Sequence, residues 1–151
     1  MDHQDIIDSL NTLIETCKDG EYGFRTSAEH TVGAQVKQLF LTRAEDCRQA
    51  ASELQSLVLQ YGGKAEDGGS VSGAIHRGWV KARSAVSSTT DLSLLEETER
   101  GEDVALAAYR KAAEDELPED VRVVLGRHLQ GAKRNHDQIR DLRNQARAMS
   151  A

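Results

Sequence analysis

Ile14-Glu15-Thr16-Cys17-Lys18-Asp19-Gly20-Glu21 has an echo later in the chain, Leu95-Glu96-Glu97-Thr98-Glu99-Arg100-Gly101-Glu102. Each copy opens on an apolar residue followed by Glu and closes on a Gly-Glu pair. The two stand at equivalent points of two similar helical patterns, so an internal duplication is expected. Outward from the first copy, Ile6, Leu10, Leu13, Ile14, Cys17, Phe24 and Ala28 recur at three- and four-residue steps. That spacing puts one apolar stripe on a helix of 3.6 residues per turn.

The same period continues through Val36, Leu39, Phe40, Cys47, Ala50, Leu54, Leu57, Val58 and Tyr61, and Gly62-Gly63 stops it. A Gly-, Asp- and Lys-rich stretch to Ser70 follows, and residues Val71 to Val86 predict a shorter helix with Trp79 packed onto the bundle. Ser93 with Glu96 reads as a capping box opening a third long helix, with Leu95, Ala105, Tyr109 and Ala112 on its apolar face. Pro118 is expected in the first turn of the last helix, whose stripe is Val121, Val124, Leu125, Leu129, Ala132, Ile139 and Leu142. Short loops join the first pair and the last pair, and short loops make antiparallel neighbours. The reading is therefore all-α: one domain over 1–151, an antiparallel four-helix bundle of two αα-hairpins. Hairpin one spans about 3–61, a crossover with its short helix about 62–90, and hairpin two about 91–148.

Composition narrows the setting. Hydrophobic residues are 38% of the 151, charged residues 29% and aromatics 4%, so a packed core of aliphatic side chains is expected rather than disorder. The net charge of −6 argues against nucleic acid, whose phosphates demand clustered Lys and Arg. Arg134, Arg140, Arg143 and Arg147 are interleaved with Asp137 and Asp141, which predicts a solvated face laced with ion pairs. No stretch is apolar for the roughly 18 residues a bilayer span needs. The acidic start, Met-Asp-His-Gln-Asp, has no secretory signal pattern, so a cytoplasmic protein with reduced thiols is expected.

Several stretches together resemble small bacterial ferritin-like four-helix-bundle proteins whose domain is of unknown function. They are Leu13 through Phe24, Tyr61-Gly62-Gly63, Gly69 through Trp79, Glu99-Arg100-Gly101-Glu102-Asp103 and His136-Asp137-Gln138-Ile139. The resemblance covers nearly the whole chain. It implies a ferritin-like bundle, and it implies function only by analogy.

Ferritin-like carboxylate proteins draw one Glu from each of two helices and Glu-x-x-His from each of the other two. Glu21 and Glu102 both fall on apolar stripes, and His136 lies on the stripe of the last helix. A carboxylate aimed at a core is costly unless paired, protonated or bound to a cation. These three residues are the candidate metal ligands, with iron or manganese as the metal. No Glu-x-x-His occurs, however; Glu45 is followed three residues on by Arg48, and Lys133 stands three before His136. If the first hairpin turns near residue 32, Glu21 lies level with Arg43, and a Glu21–Arg43 ion pair is expected to explain the inward carboxylate. The residues thus argue against a ferritin-type di-iron centre and leave a mononuclear or degenerate site open. Three readings follow: a ferritin-like bundle of stress physiology with weak or degenerate metal binding, a di-metal carboxylate oxidase or peroxidase, and a homodimeric interaction module without catalysis.

The same turn geometry puts Cys17 level with Cys47, where two small soft side chains filling a core layer is the expected role. A disulfide needs Cα atoms within about 7 Å, tight for helices packed 8–10 Å apart. His3, His30 and His76 read as surface or helix-end residues, while His128 is ambiguous between core and rim. The Gly-rich stretch lacks the Gly-Lys-Ser/Thr of a phosphate loop.

Overall fold

A computed structural model describes residues 2–64 and 90–150. Four helices carry them: α1 (His3–His30), α2 (Ala34–Gln60), α3 (Asp91–Ala113) and α4 (Glu119–Ser150). The predicted helix at Val71–Val86 lies outside the described residues.

Helix ends are set by local chemistry. Asp2 caps α1 in a reciprocal box with Asp5. α2 ends in a Schellman turn: Gly63 N–H donates to the Val58 carbonyl (2.9 Å) and Gly62 N–H to that of Leu59 (3.0 Å). Gly62 has φ +82°, a conformation that penalises any Cβ. Two expected starts move. α3 begins at Asp91 with Thr90 as its cap, and Ser93 is the third-position partner of the box instead of the cap. The Thr90 side chain accepts from Ser93 N–H and Ser93 Oγ accepts from Thr90 N–H, both at 3.1 Å, so the earlier Thr wins. Pro118 stands just before α4, its carbonyl accepting the first helical bond from Arg122 N–H at 2.9 Å.

Two apolar clusters fix the topology. One joins Leu10, Leu13 and Ile14 of α1 to Leu54 and Val58 of α2, Tyr109 of α3, and Val121 and Leu125 of α4. The other joins Phe24, Phe40, Ala44, Cys47, Leu94, Leu95 and Ile139. The start of α1 therefore meets the ends of α2 and α3 and the start of α4. α1 runs antiparallel to α2 and α3, α4 runs antiparallel to both of these, and α2 and α3 run parallel. Residues 64 and 90 consequently lie at opposite ends of a bundle about 40 Å long, from 1.5 Å of rise per residue. The short turn between α1 and α2 is tied to hairpin two: the Asp91 carboxylate accepts from Val32 N–H (2.9 Å) and Gly33 N–H (2.8 Å). No helix among the described residues is long and apolar enough to cross a membrane.

Of the four α4 arginines named from the sequence, Arg140, Arg143 and Arg147 form ion pairs. Arg140 meets Asp137 and Asp141, Arg143 meets Glu99, and Arg147 reaches Glu96 at 3.1 Å.

Candidate functional site

Between the two apolar clusters the bundle has a polar waist. Glu102, on the inner face of α3, is 2% exposed. It does not stand alone. Arg43 of α2 donates from Nε to its Oε2 (2.8 Å) and from Nη2 to its Oε1 (3.1 Å), and Asn135 Nδ2 of α4 donates to Oε2 at 2.6 Å. A bidentate guanidinium is the strongest match a carboxylate finds in a protein.

The expected Glu21–Arg43 pair is not formed. Glu21 turns along its own helix to Arg25 at 2.8 Å and keeps partial solvent access. The Arg43 guanidinium reaches the dry carboxylate of Glu102, which competes better for it than the more solvated carboxylate of Glu21. Asn135, which the helix periodicity alone does not mark as a partner of Glu102, sits beside it from α4. The signal was present: a carboxylate on an apolar stripe requires donors from the facing helix.

His136 points away from Glu102. Its Nε2 lies 2.8 Å from Asp103 and 3.8 Å from Glu99, and its Nδ1 is 3.5 Å from Asp137, on the rim between α3 and α4. Glu21, Glu102 and His136 therefore face three different surroundings. Among the described residues no group of three or more His, Cys, Asp and Glu side chains is arranged to hold a metal ion. At Glu102 both oxygens already accept, three hydrogen bonds in all from Arg43 and Asn135, and the charge a metal would bring is supplied by the guanidinium. The donor set does not fit a di-metal centre.

A second set crosses the same waist, runs from buried Cys17 to half-exposed Glu53 and draws one side chain from each helix. Glu53 of α2 meets His128 Nε2 of α4 at 3.1 Å, His128 Nδ1 meets Tyr109 Oη of α3 at 3.1 Å, and Tyr109 Oη meets Cys17 Sγ of α1 at 3.2 Å. Arg127 grips Glu53 with both nitrogens (3.0 and 2.8 Å). This hydrogen bonding, aided by His128 and opposed by burial, lowers the Glu53 carboxyl to about 2. Burial is the main cause that lowers His128, which is consequently neutral at pH 7. Together these two states set a consistent direction for the hydrogen bonds. Ionised Glu53 can only accept, so His128 carries its hydrogen on Nε2; Nδ1 must then accept from Tyr109, and the phenolic oxygen accepts from the Cys17 thiol.

A cavity of about 220 Å³ lies against this set, and Cys17, Cys47, Arg43, Glu102, Tyr109 and His128 are among its walls. Exposed Asp46 and Gln49 of α2 and Arg127 and Arg134 of α4 also line it, so it reaches solvent along the seam between those helices. Both cysteines are free and buried. Gly20 lets α1 approach α2 here: a Cβ on it would stand 3.0 Å from Cys47 Sγ.

The relay makes acid sensitivity predictable. His128 has a folded pKa below its ordinary 6.5, so the unfolded chain binds its proton first and stability falls as pH drops through 6.5. Glu53 is depressed instead, so its contribution is present above 4.5 and is lost as pH falls towards 2. Urea unfolding from pH 7 to pH 3 should show both losses, and His128→Gln should abolish the upper one. Equal slopes between pH 7 and 5 in the two proteins would refute the assignment.

Residues 5–115 match the domain of unknown function DUF2383. No curated protein matches the chain. Solved structures similar to it include a Dps1 mutant from Mycobacterium smegmatis, with TM-score 0.79, 18% identity and coverage of 93% of this chain and 96% of that one. A dodecameric thioferritin, the bacterioferritin-related protein of Bacteroides fragilis, has TM-score 0.78 at 19% identity and covers 99% and 91%. A Dps protein from Vibrio cholerae O1, described as one of the ferritin-like diiron-carboxylate proteins, has TM-score 0.73 at 15% identity and covers 93% and 89%. At such identities the likeness establishes the ferritin-like fold.

Proposed function

We propose that this chain, which belongs to the DUF2383 family, is a ferritin-like bundle with a degenerate metal site, a scaffold of stress physiology whose central cation is Arg43. Its working part is then the solvent-reachable cavity at the waist rather than a carboxylate-bridged metal pair. The observation that carries this reading is the engagement of both Glu102 oxygens by Arg43 and Asn135. For a metal to bind Glu102, the guanidinium would have to leave, and its positive charge a few ångströms away would oppose the incoming ion. The rival reading, a di-metal oxidase or peroxidase, is argued from the solved relatives, one of them described as a diiron-carboxylate protein. Here it would have to do without the inward Glu21 and the paired histidines.

Metal analysis of protein purified without chelator decides between them. Iron and manganese are expected well below one per chain, ferrous iron should oxidise no faster than in buffer, and chelator should leave the melting temperature unchanged. Stoichiometric metal in the wild type, lost in both Glu21→Ala and Glu102→Ala, would overturn the proposal and restore the oxidase.

A further inference from the structure

Cys17 and Cys47 share one small cavity with a guanidinium, and among the described residues a chain of proton carriers links Cys17 to the surface. We propose that this cavity is a thiol site for hydroperoxides, in which Cys17 is oxidised first and Cys47 resolves it to a disulfide. This does not depend on whether metal binds at Glu102, because neither sulfur belongs to that carboxylate's partners.

The geometry supplies what such chemistry needs. A buried thiol is inert unless its proton can leave, and burial does hold Cys17 up, at about 11. Burial pushes Cys47 up as well, and no proton-carrying chain reaches it among the contacts described. The 3.2 Å contact gives the Cys17 proton an acceptor in Tyr109, whose own proton passes to His128 Nδ1. The imidazolium so formed faces the Glu53 carboxylate at 3.1 Å. Burial opposes the thiolate left behind, while Tyr109 and the charge of Arg43 favour it and that of Glu102 opposes it. The thiolate attacks the terminal oxygen of the hydroperoxide: an S–O bond forms, the O–O bond breaks, and the departing alkoxide takes the proton held by the relay. Cys17 becomes a sulfenic acid and an alcohol leaves. The Cys47 thiol then attacks that sulfur; the S–S bond forms and the hydroxyl departs with the Cys47 proton as water. Two thiols lose two electrons and one hydroperoxide gains them.

Gly20 lets the second sulfur approach the helix that carries Cys17. A disulfide needs Cα atoms within about 7 Å, closer than the usual 8–10 Å between helix axes, so a position without a side chain on the facing turn favours it. With no side chain at Gly20, Cys47 Sγ nests against the α1 backbone one turn from Cys17.

The test treats reduced, full-length protein with hydrogen peroxide or tert-butyl hydroperoxide and reads intact mass without reductant. Wild type should lose two hydrogens per chain and consume one peroxide. Cys47→Ser should stop at a dimedone-trapped sulfenic acid on Cys17, and Cys17→Ser should consume none. Tyr109→Phe and Glu53→Gln leave both sulfurs in place but cut the relay, and each should slow Cys17 oxidation about 100-fold. Circular dichroism and a melting curve confirm that each variant is folded. Retention of both thiols in folded wild type under excess peroxide would overturn the proposal. So would oxidation of Cys17→Ser at the wild-type rate, or an unchanged rate in both relay variants.

Discussion

Arg43→Leu is expected to lower the unfolding free energy by about 3–5 kcal/mol, because it strands the Glu102 carboxylate in the waist. Glu102 is 2% exposed and Arg43 9%, so water can compensate neither group in place. The informative comparison is the double variant Arg43→Leu with Glu102→Leu. A buried ion pair contributes little net stability against apolar side chains of similar volume, since both charges were desolvated to make it. The double variant should recover most of the loss. A remainder of about 1–3 kcal/mol is expected, because Asn135 Nδ2 loses the acceptor it holds at 2.6 Å. Urea unfolding of the four proteins of the cycle measures this. If the single and double variants are equally destabilised, the pair is not an isolated buried charge couple and the account of the waist fails.

Phe40→Ala should cost about 3–5 kcal/mol for a different reason, the cavity left by a large ring that helices cannot close. Phe40 is 0% exposed and packs against Phe24, 1% exposed, with ring centroids 5.9 Å apart. These two rings fill the bundle end near the α1–α2 turn, opposite the larger aliphatic cluster. The neighbouring side chains in that cluster, chiefly Ala44, Leu94, Leu95 and Ile139, are themselves buried and sit on α2, α3 and α4, which hold them in place. Chemical unfolding would show the loss as a lower midpoint with an unchanged slope. A cost below about 1 kcal/mol would mean that the end collapses around the missing ring.

How far the site was legible depends on the range of the interaction. Glu102 could be marked as buried from its place on the stripe Leu95, Thr98, Glu102, Ala105, Tyr109, and the structure buries it. Glu21, with the same local text, could not be distinguished from it. The difference comes from Arg25, one turn along α1, which draws Glu21 outward, and from a guanidinium that reaches across rather than along the hairpin. Likewise His128 and Tyr109 each sat on readable faces, but their contact with each other, and with Cys17 and Glu53, requires four helices at one level.

Local chemistry thus determined the helices, the Schellman stop at Gly62-Gly63 and the antiparallel hairpins, because periodicity and capping act within a few residues and are written directly in the chain; the ferritin-like class came from the resemblance of whole stretches to a family. The partners at the waist were decided only by tertiary structure. Which donor meets Glu102, and which acceptor meets Cys17, depends on how far side chains reach between packed helices and on which carboxylate is drier. Neither quantity exists until the two hairpins have docked.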